Sequence, residues 1–178
     1  MITATGRRSW PAPFLPLRAG AVDAPDPHTL RVQRVLLASE GRPIAATAID
    51  VAARLAKQGG GGVHVFSVAR VWGSSLGLPN PGLMPSKGEW DAQRKLVADA
   101  VAALKRAGVE ASGHVLATRR AAKRIVDEAE RLGCGAIVMT ADPPRNVLLA
   151  DLMWSQEPQR VRRRSQLPVY LVPLRRGD

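Results

Sequence analysis

Aromatic residues and cysteines are scarce in this chain, and each shortage removes a class of function. Aromatics make up 4% of 178 residues. Phe14, Phe66 and Tyr170 are too few, and too apolar in context, to form the stacking platforms that hold single-stranded nucleic acid. Cys134 is the only cysteine, which excludes an intrachain disulfide and suits a reducing cytoplasm. Set just before an apolar run, it reads as a small core residue and not as a reactive thiol. No apolar run approaches the roughly 18 residues of a membrane span, so a membrane is not an expected partner. Arg7 and Arg8 ahead of Phe14 and Leu15 have the outline of a twin-arginine leader, but Pro11, Pro13 and Pro16 interrupt the apolar helix a leader needs. A Walker loop, a Gly-x-Ser-x-Gly elbow and a cysteine–histidine pairing are all missing, so an enzyme is not the expected reading. Asp142 and Asp151 read as solvated loop acids, not metal carboxylates.

Acidic residues are also in deficit, 15 against 26 lysines and arginines, for a formal charge of +11. That excess draws anions in general and selects none in particular. Arg160, Arg162, Arg163 and Arg164 cluster on a late helix, where a solvated surface explains them without nucleic acid as a partner.

Hydrophobic residues amount to 46%, mostly Val, Leu, Ile and Ala, a composition suited to layers of sheet and helix around one core. Residues 1–30 read as a flexible, proline-rich basic arm, 31–174 as the domain and 175–178 as a tail; Trp10 and Phe14 are the residues by which the arm would dock. The run to Ala38 is continuous, as in a strand covered on both faces. Pro43 then starts a helix with Ile44, Ala48, Val51, Ala52 and Leu55 on one face. Gly59 to Gly62 end it; no lysine–serine pair follows, so they are not a phosphate loop. Val63 to Val68 is the second strand. A Gly/Pro/Ser-rich loop from Arg70 to Lys87 follows, with Trp72 and Leu76 placed to cap a cleft. A helix over Glu89–Ala107 buries Val97, Ala100, Val101 and Leu104, and a third strand falls within Gly108–Ala117. The helix over Arg119–Leu132 buries Ala121, Ile125, Ala129 and Leu132; it pairs Lys123 with Asp127 and Arg124 with Glu128, and its charges read as solvated scaffolding. Ala136–Met139 is the fourth strand, Gln156–Arg164 the last helix, and Leu167–Val172 the fifth strand. His28, His64 and His114 stand apart in the sequence, so no metal site is assigned.

Alternating strands and helices, with right-handed crossovers, give an open, twisted parallel sheet. Three segments in this order resemble the universal stress protein family: Val35 to Pro43, Leu132 to Met139, and Arg160 to Val172. The resemblance covers Arg34 to about Pro173. It implies a five-stranded parallel α/β sheet of order 3-2-1-4-5 with helices on both faces, and a homodimer through the strand at 167–172, an apolar edge that is a hazard when left open.

In nucleotide-binding members of that family an acidic residue after the first strand approaches the ribose, backbone at the end of the second meets adenine, and a glycine-rich segment after the fourth holds phosphates. By position the resemblance places these roles on Ser39 and Glu40, on Val68, and on Thr140, Pro143, Ser155 and Gln156. The glycines are missing here. A phosphate cradle aims backbone N–H groups at an anion, and Pro143 and Pro144 have none to aim. Ser155 reads as the N-cap of the last helix, with Pro158 deleting another amide in its first turn. Two lost hydrogen bonds of about 1 kcal/mol each weaken affinity about thirtyfold. Arg145 and Asn146 are the side chains that would compensate. The expectation is a non-catalytic stress-response or regulatory module, acting through protein partners, with weak or no ATP binding and no cofactor. The alternative is an ATP- or AMP-binding protein that uses Arg145, Asn146 and Ser155.

Overall fold

The computed structural model describes residues 24–70, 84–141 and 156–174. The expectations for Trp10, Phe14, Trp72, Leu76, Asp142 and Asp151 lie outside these residues. Along the chain run β1 (Arg34–Ser39), α1 (Ala46–Gly59), β2 (Gly62–Arg70), α2 (Lys87–Arg106), β3 (Ala111–Thr118), α3 (Ala121–Arg131), β4 (Ala136–Ala141), α4 (Glu157–Arg164) and β5 (Val169–Pro173). The strands form one parallel sheet in the order β3-β2-β1-β4-β5. Among the described residues no helix is long and apolar enough to cross a membrane.

Alternation along the central strands divides the core in two. Val35, Leu37, Val65 and Val138 face α1 and α2 and pack on Val51, Leu55, Val97 and Leu104. Leu36, Ala38, Phe66, Ile137 and Met139 face α3 and α4 and pack on Ile125, Ala129 and Val161. Burial on both faces explains why β1 is an unbroken apolar run. Cys134 is in the second cluster, and burial pushes its thiol up to about 11, so it is an inert core group.

Several boundaries differ from the sequence reading. α1 begins at Ala46 instead of Pro43, because residues 40–45 form a turn pinned by side chains of β1, β4 and α2. α2 begins earlier than Glu89, at Lys87, because Ser86 and Glu89 make a reciprocal capping box. α4 is N-capped by Gln156, without a side-chain bond, and not by Ser155, which lies outside the described residues. The segment at 24–30, read as part of the arm, is docked: the Tyr170 hydroxyl donates to the Pro25 carbonyl at 2.8 Å, and Ala24 and Leu30 pack on the core.

Gly59 ends α1 and Gly62 opens β2, and the two glycines between them act differently. Gly60 takes a left-handed conformation, φ 67°, that closes the helix. Gly61 lies so close to the Gln33 backbone that a Cβ there overlaps it, whereas a Cβ on Gly60 meets nothing. We therefore expect Gly60→Ala to cost about 1–2 kcal/mol through backbone strain alone, and Gly61→Ala to cost more, because a strand-flanking backbone has to move. Urea unfolding midpoints of the two variants check the order; equal losses contradict it.

Candidate functional site

The chain order reverses direction between β1 and β4, so the crevice at their carboxyl ends is where an open parallel sheet takes a ligand. Ser39, Glu40, Val68 and Thr140 all come to this end, as the sequence placed them. Their side chains are already engaged. Ser39 Oγ donates to the Arg42 carbonyl at 2.6 Å and accepts from the Gly41 N–H at 3.1 Å. The Arg42 Nε–H donates to Glu40 Oε1 at 2.8 Å, and Glu40 is 2% exposed. Thr140 Oγ1 accepts from the N–H of Ala45, the N-cap of α1, at 2.9 Å. Val68 is fully buried; β2 continues through Val68, Ala69 and Arg70 beyond its last pair with β1, so there its backbone pairs with β3 alone.

Two residues that sequence reasoning missed complete this network. Ser67 Oγ donates to Gln93 Oε1 at 2.6 Å, and Gln93 Nε2 donates to the Gly41 carbonyl at 3.0 Å. Gln93 thus ties α2 and β2 to the turn after β1. A glutamine amid exposed helical residues carries no sequence signal for this; a serine within an apolar strand is the only hint. Gln156 is exposed at the start of α4, where the adjoining Glu157 carboxylate accepts the Ala122 N–H at 2.9 Å and so caps α3. Pro143, Arg145, Asn146 and Ser155 lie outside the described residues.

A second constellation sits at the opposite end of the sheet. Parallel pairing sets His64 opposite Ser112 and Phe66 opposite His114, which brings two histidines that the sequence read as isolated onto one face. His64 Nδ1 shares a hydrogen bond with Ser112 Oγ at 2.9 Å, and His64 Nε2 shares one with His114 Nδ1 at 2.8 Å. The other nitrogen of His114 lies 3.4 Å from Glu128 Oε1. Glu128 is 1% exposed, which corrects its assignment to a solvated surface. Its expected partner Arg124 is there at 3.8 Å, but Arg131 makes the stronger contact, a two-point pair that holds the Glu128 carboxyl below the usual carboxylate range. Burial, followed by the nearby charge of His114, lowers the pKa of His64. An open groove of about 850 Å³ adjoins the pair, lined in part by Arg34, His64, Ser112 and Gly133.

A model of the universal stress protein family matches residues 31–173. No curated protein matches the chain. Among solved structures, one from the universal stress protein family of Burkholderia pseudomallei is similar at 23% identity and a TM-score of 0.58, over 79% of this chain and 96% of that one. The universal stress protein from Archaeoglobus fulgidus in complex with dAMP is similar at 19% identity and a TM-score of 0.58, over 81% and 99%. A universal stress protein in complex with cAMP is similar at 16% identity and a TM-score of 0.58, over 82% and 99%. At these identities the likeness is one of fold.

Because Ala45 is buried, its amide depends on Thr140. Thr140→Val should cost about 1–3 kcal/mol by leaving that donor unpaired, while Thr140→Ser, which keeps the hydroxyl, should retain most of the stability. Chemical denaturation checks this; a valine variant no weaker than the serine variant contradicts it.

Proposed function

The chain belongs to the universal stress protein family, and from that membership we propose that it is a non-catalytic regulatory module of the stress-response class, acting through protein contacts with little or no ATP binding. The observation that carries this reading is the internal use of the groups a nucleotide would need. Glu40 is buried against Arg42, and Thr140 Oγ1 holds the Ala45 amide. A ligand drawing on either has to break a buried polar pairing, at about 1–3 kcal/mol for each group left unsatisfied. Pro143 and Pro144 withdraw two backbone donors from the loop that follows. The described residues at this end fit an adenine nucleotide poorly.

A second reading is favoured by the dAMP and cAMP held in two of the similar structures. In it Arg145, Asn146 and Ser155 take over the phosphates, and the excess of positive charge draws the ligand in.

Assembly follows from the edge at β5. The Ile137 N–H donates to Pro168 O and the Leu174 N–H to Ala141 O. By strand alternation the backbone groups of Val169 and Leu171 therefore point to the free edge. An apolar edge of this kind supports a homodimer formed by pairing with a second copy, in a cytoplasmic setting that suits the reduced Cys134.

Two measurements test the proposal. Mass spectrometry of small molecules released from the denatured protein should find no stoichiometric nucleotide, and titration with labelled ATP should show no saturation below about 1 mM. Tight binding that Arg145→Ala abolishes selects the second reading instead. For the dimer, Leu171→Pro removes an outward N–H that the fold does not use and should give a folded monomer by sedimentation; an unchanged assembly sinks the β5 interface.

A further inference from the structure

We propose that His64 and His114, with Glu128, form a binding site for a borderline transition-metal dication of the Zn²⁺, Cu²⁺ or Ni²⁺ class. One potential ligand atom from each of the three side chains lies within 4.8 Å of the other two. They reach that cluster from β2, β3 and α3, so the fold builds the site and no local sequence motif does.

Hydrogen-bond logic makes the pair unusual. The Glu128 carboxylate is an acceptor, so the His114 nitrogen facing it has to carry a proton, and His114 Nδ1 then presents a lone pair towards His64 Nε2, 2.8 Å away. Without a cation, His64 fills the gap with its own Nε2 proton and accepts from Ser112 Oγ–H. When His64 instead donates Nδ1–H to Ser112, which lies 2.9 Å away, both facing nitrogens turn lone pairs to one point. A dication replaces the shared proton, which moves from Nε2 to Nδ1 of His64, so the exchange needs no net proton release. Histidine ligands held by a hydroxyl or carboxylate on the far ring nitrogen are the normal outer shell of protein metal sites.

Imidazole nitrogens select Zn²⁺, Cu²⁺ and Ni²⁺ over Mg²⁺ and Ca²⁺, which require oxygen cages. Two nitrogens about 2.0–2.1 Å from a tetrahedral ion stand roughly 3.3 Å apart, so the pair has to open slightly from 2.8 Å. Both rings are only half-buried and have room to do so. The groove beside His64 and Ser112 leaves access for the ion and for water at its open positions. Positive charge opposes binding: Arg131 and Arg124 already neutralise Glu128, and Arg34 lies nearby. Arg131, whose side chain is 59% exposed and which pairs with Glu128, is therefore the positive charge that competes with the ion at this end of the sheet.

That competition supplies the test. The untagged full chain is titrated calorimetrically with Zn²⁺, and the Cu²⁺-loaded protein is read by electron paramagnetic resonance. We expect one saturable Zn²⁺ site, coupling of Cu²⁺ to two imidazole nitrogens, and no heat with Mg²⁺. His64→Gln or His114→Gln should weaken Zn²⁺ at least about a hundredfold and Glu128→Gln about 10–100-fold, while His28→Gln changes nothing. Arg131→Ala should tighten binding about threefold or more by removing a repulsive charge, a gain that a damaged fold cannot imitate. No saturable Zn²⁺ binding, a Cu²⁺ signal coupled to fewer than two nitrogens, or indifference to both histidine substitutions overturns the proposal.

Discussion

Burial of β1 on both faces governs what its carboxyl end can do. Val35, Leu36 and Leu37 are fully buried and burial continues through Ser39 and Glu40 and again at Ala45, so the polar groups buried around this turn need protein partners. Ser39, Thr140 and Gln93 are those partners. They come from the strand itself, from its neighbour and from a helix, so the turn is fixed by three elements at once. The crevice at a topological switch point usually owes its binding capacity to backbone and side-chain groups left unpaired there. Here the described side chains of Ser39, Thr140 and Gln93 are committed to holding the turn.

The layered fold was legible because both of its periods are expressed cleanly. A doubly covered strand must be apolar throughout, and α1 must present Ala48, Val51, Ala52 and Leu55 on one side, so Arg34–Ser39 and the helix after it follow from residue type alone. The sheet order came from the resemblance carried by three segments and not from periodicity. Local chemistry failed where a distant partner decided the outcome. Proline suits a first helical turn, yet α1 waits until Ala46 because Thr140, far along the chain, holds the Ala45 amide in an extended conformation. The capping box of Ser86 and Glu89 was written in the sequence and passed over, because a proline- and glycine-rich stretch reads as loop.

The candidate sites were legible unequally for the same reason. Positions after strands are fixed by the order of elements, so Ser39, Glu40, Val68 and Thr140 could be placed at one end of the sheet in advance. What each side chain bonds to could not, since nothing in the residues around Glu40 signals its burial beside Arg42. His64 and His114 depend on the β2–β3 register, which no property of either strand alone reveals. Glu128 shows how a helical pattern misleads: the i,i+4 partner Arg124 was correct, but the same geometry fits a solvated pair and a buried carboxylate equally well.

The two ends of the sheet share one helix, and its charges keep them apart. Near the start of α3 the Ala122 amide is taken by Glu157, which Arg160 neutralises from within α4; near its end Glu128 is neutralised by Arg131 one turn on. Each carboxylate is thus balanced locally. From Ala122 to Glu128 is six residues, about 9 Å along the helix, close to the roughly 8–10 Å screening length at physiological salt, so local neutralisation, more than distance, separates the two carboxylates. Between the two ends, Ile125, Val126 and Ala129 are packed into Leu36, Phe66 and Ile137, so α3 cannot slide without opening the core. A change of charge at the histidine pair is therefore met first by Glu128 and its arginines, while the turn after β1 is held by its own hydrogen bonds.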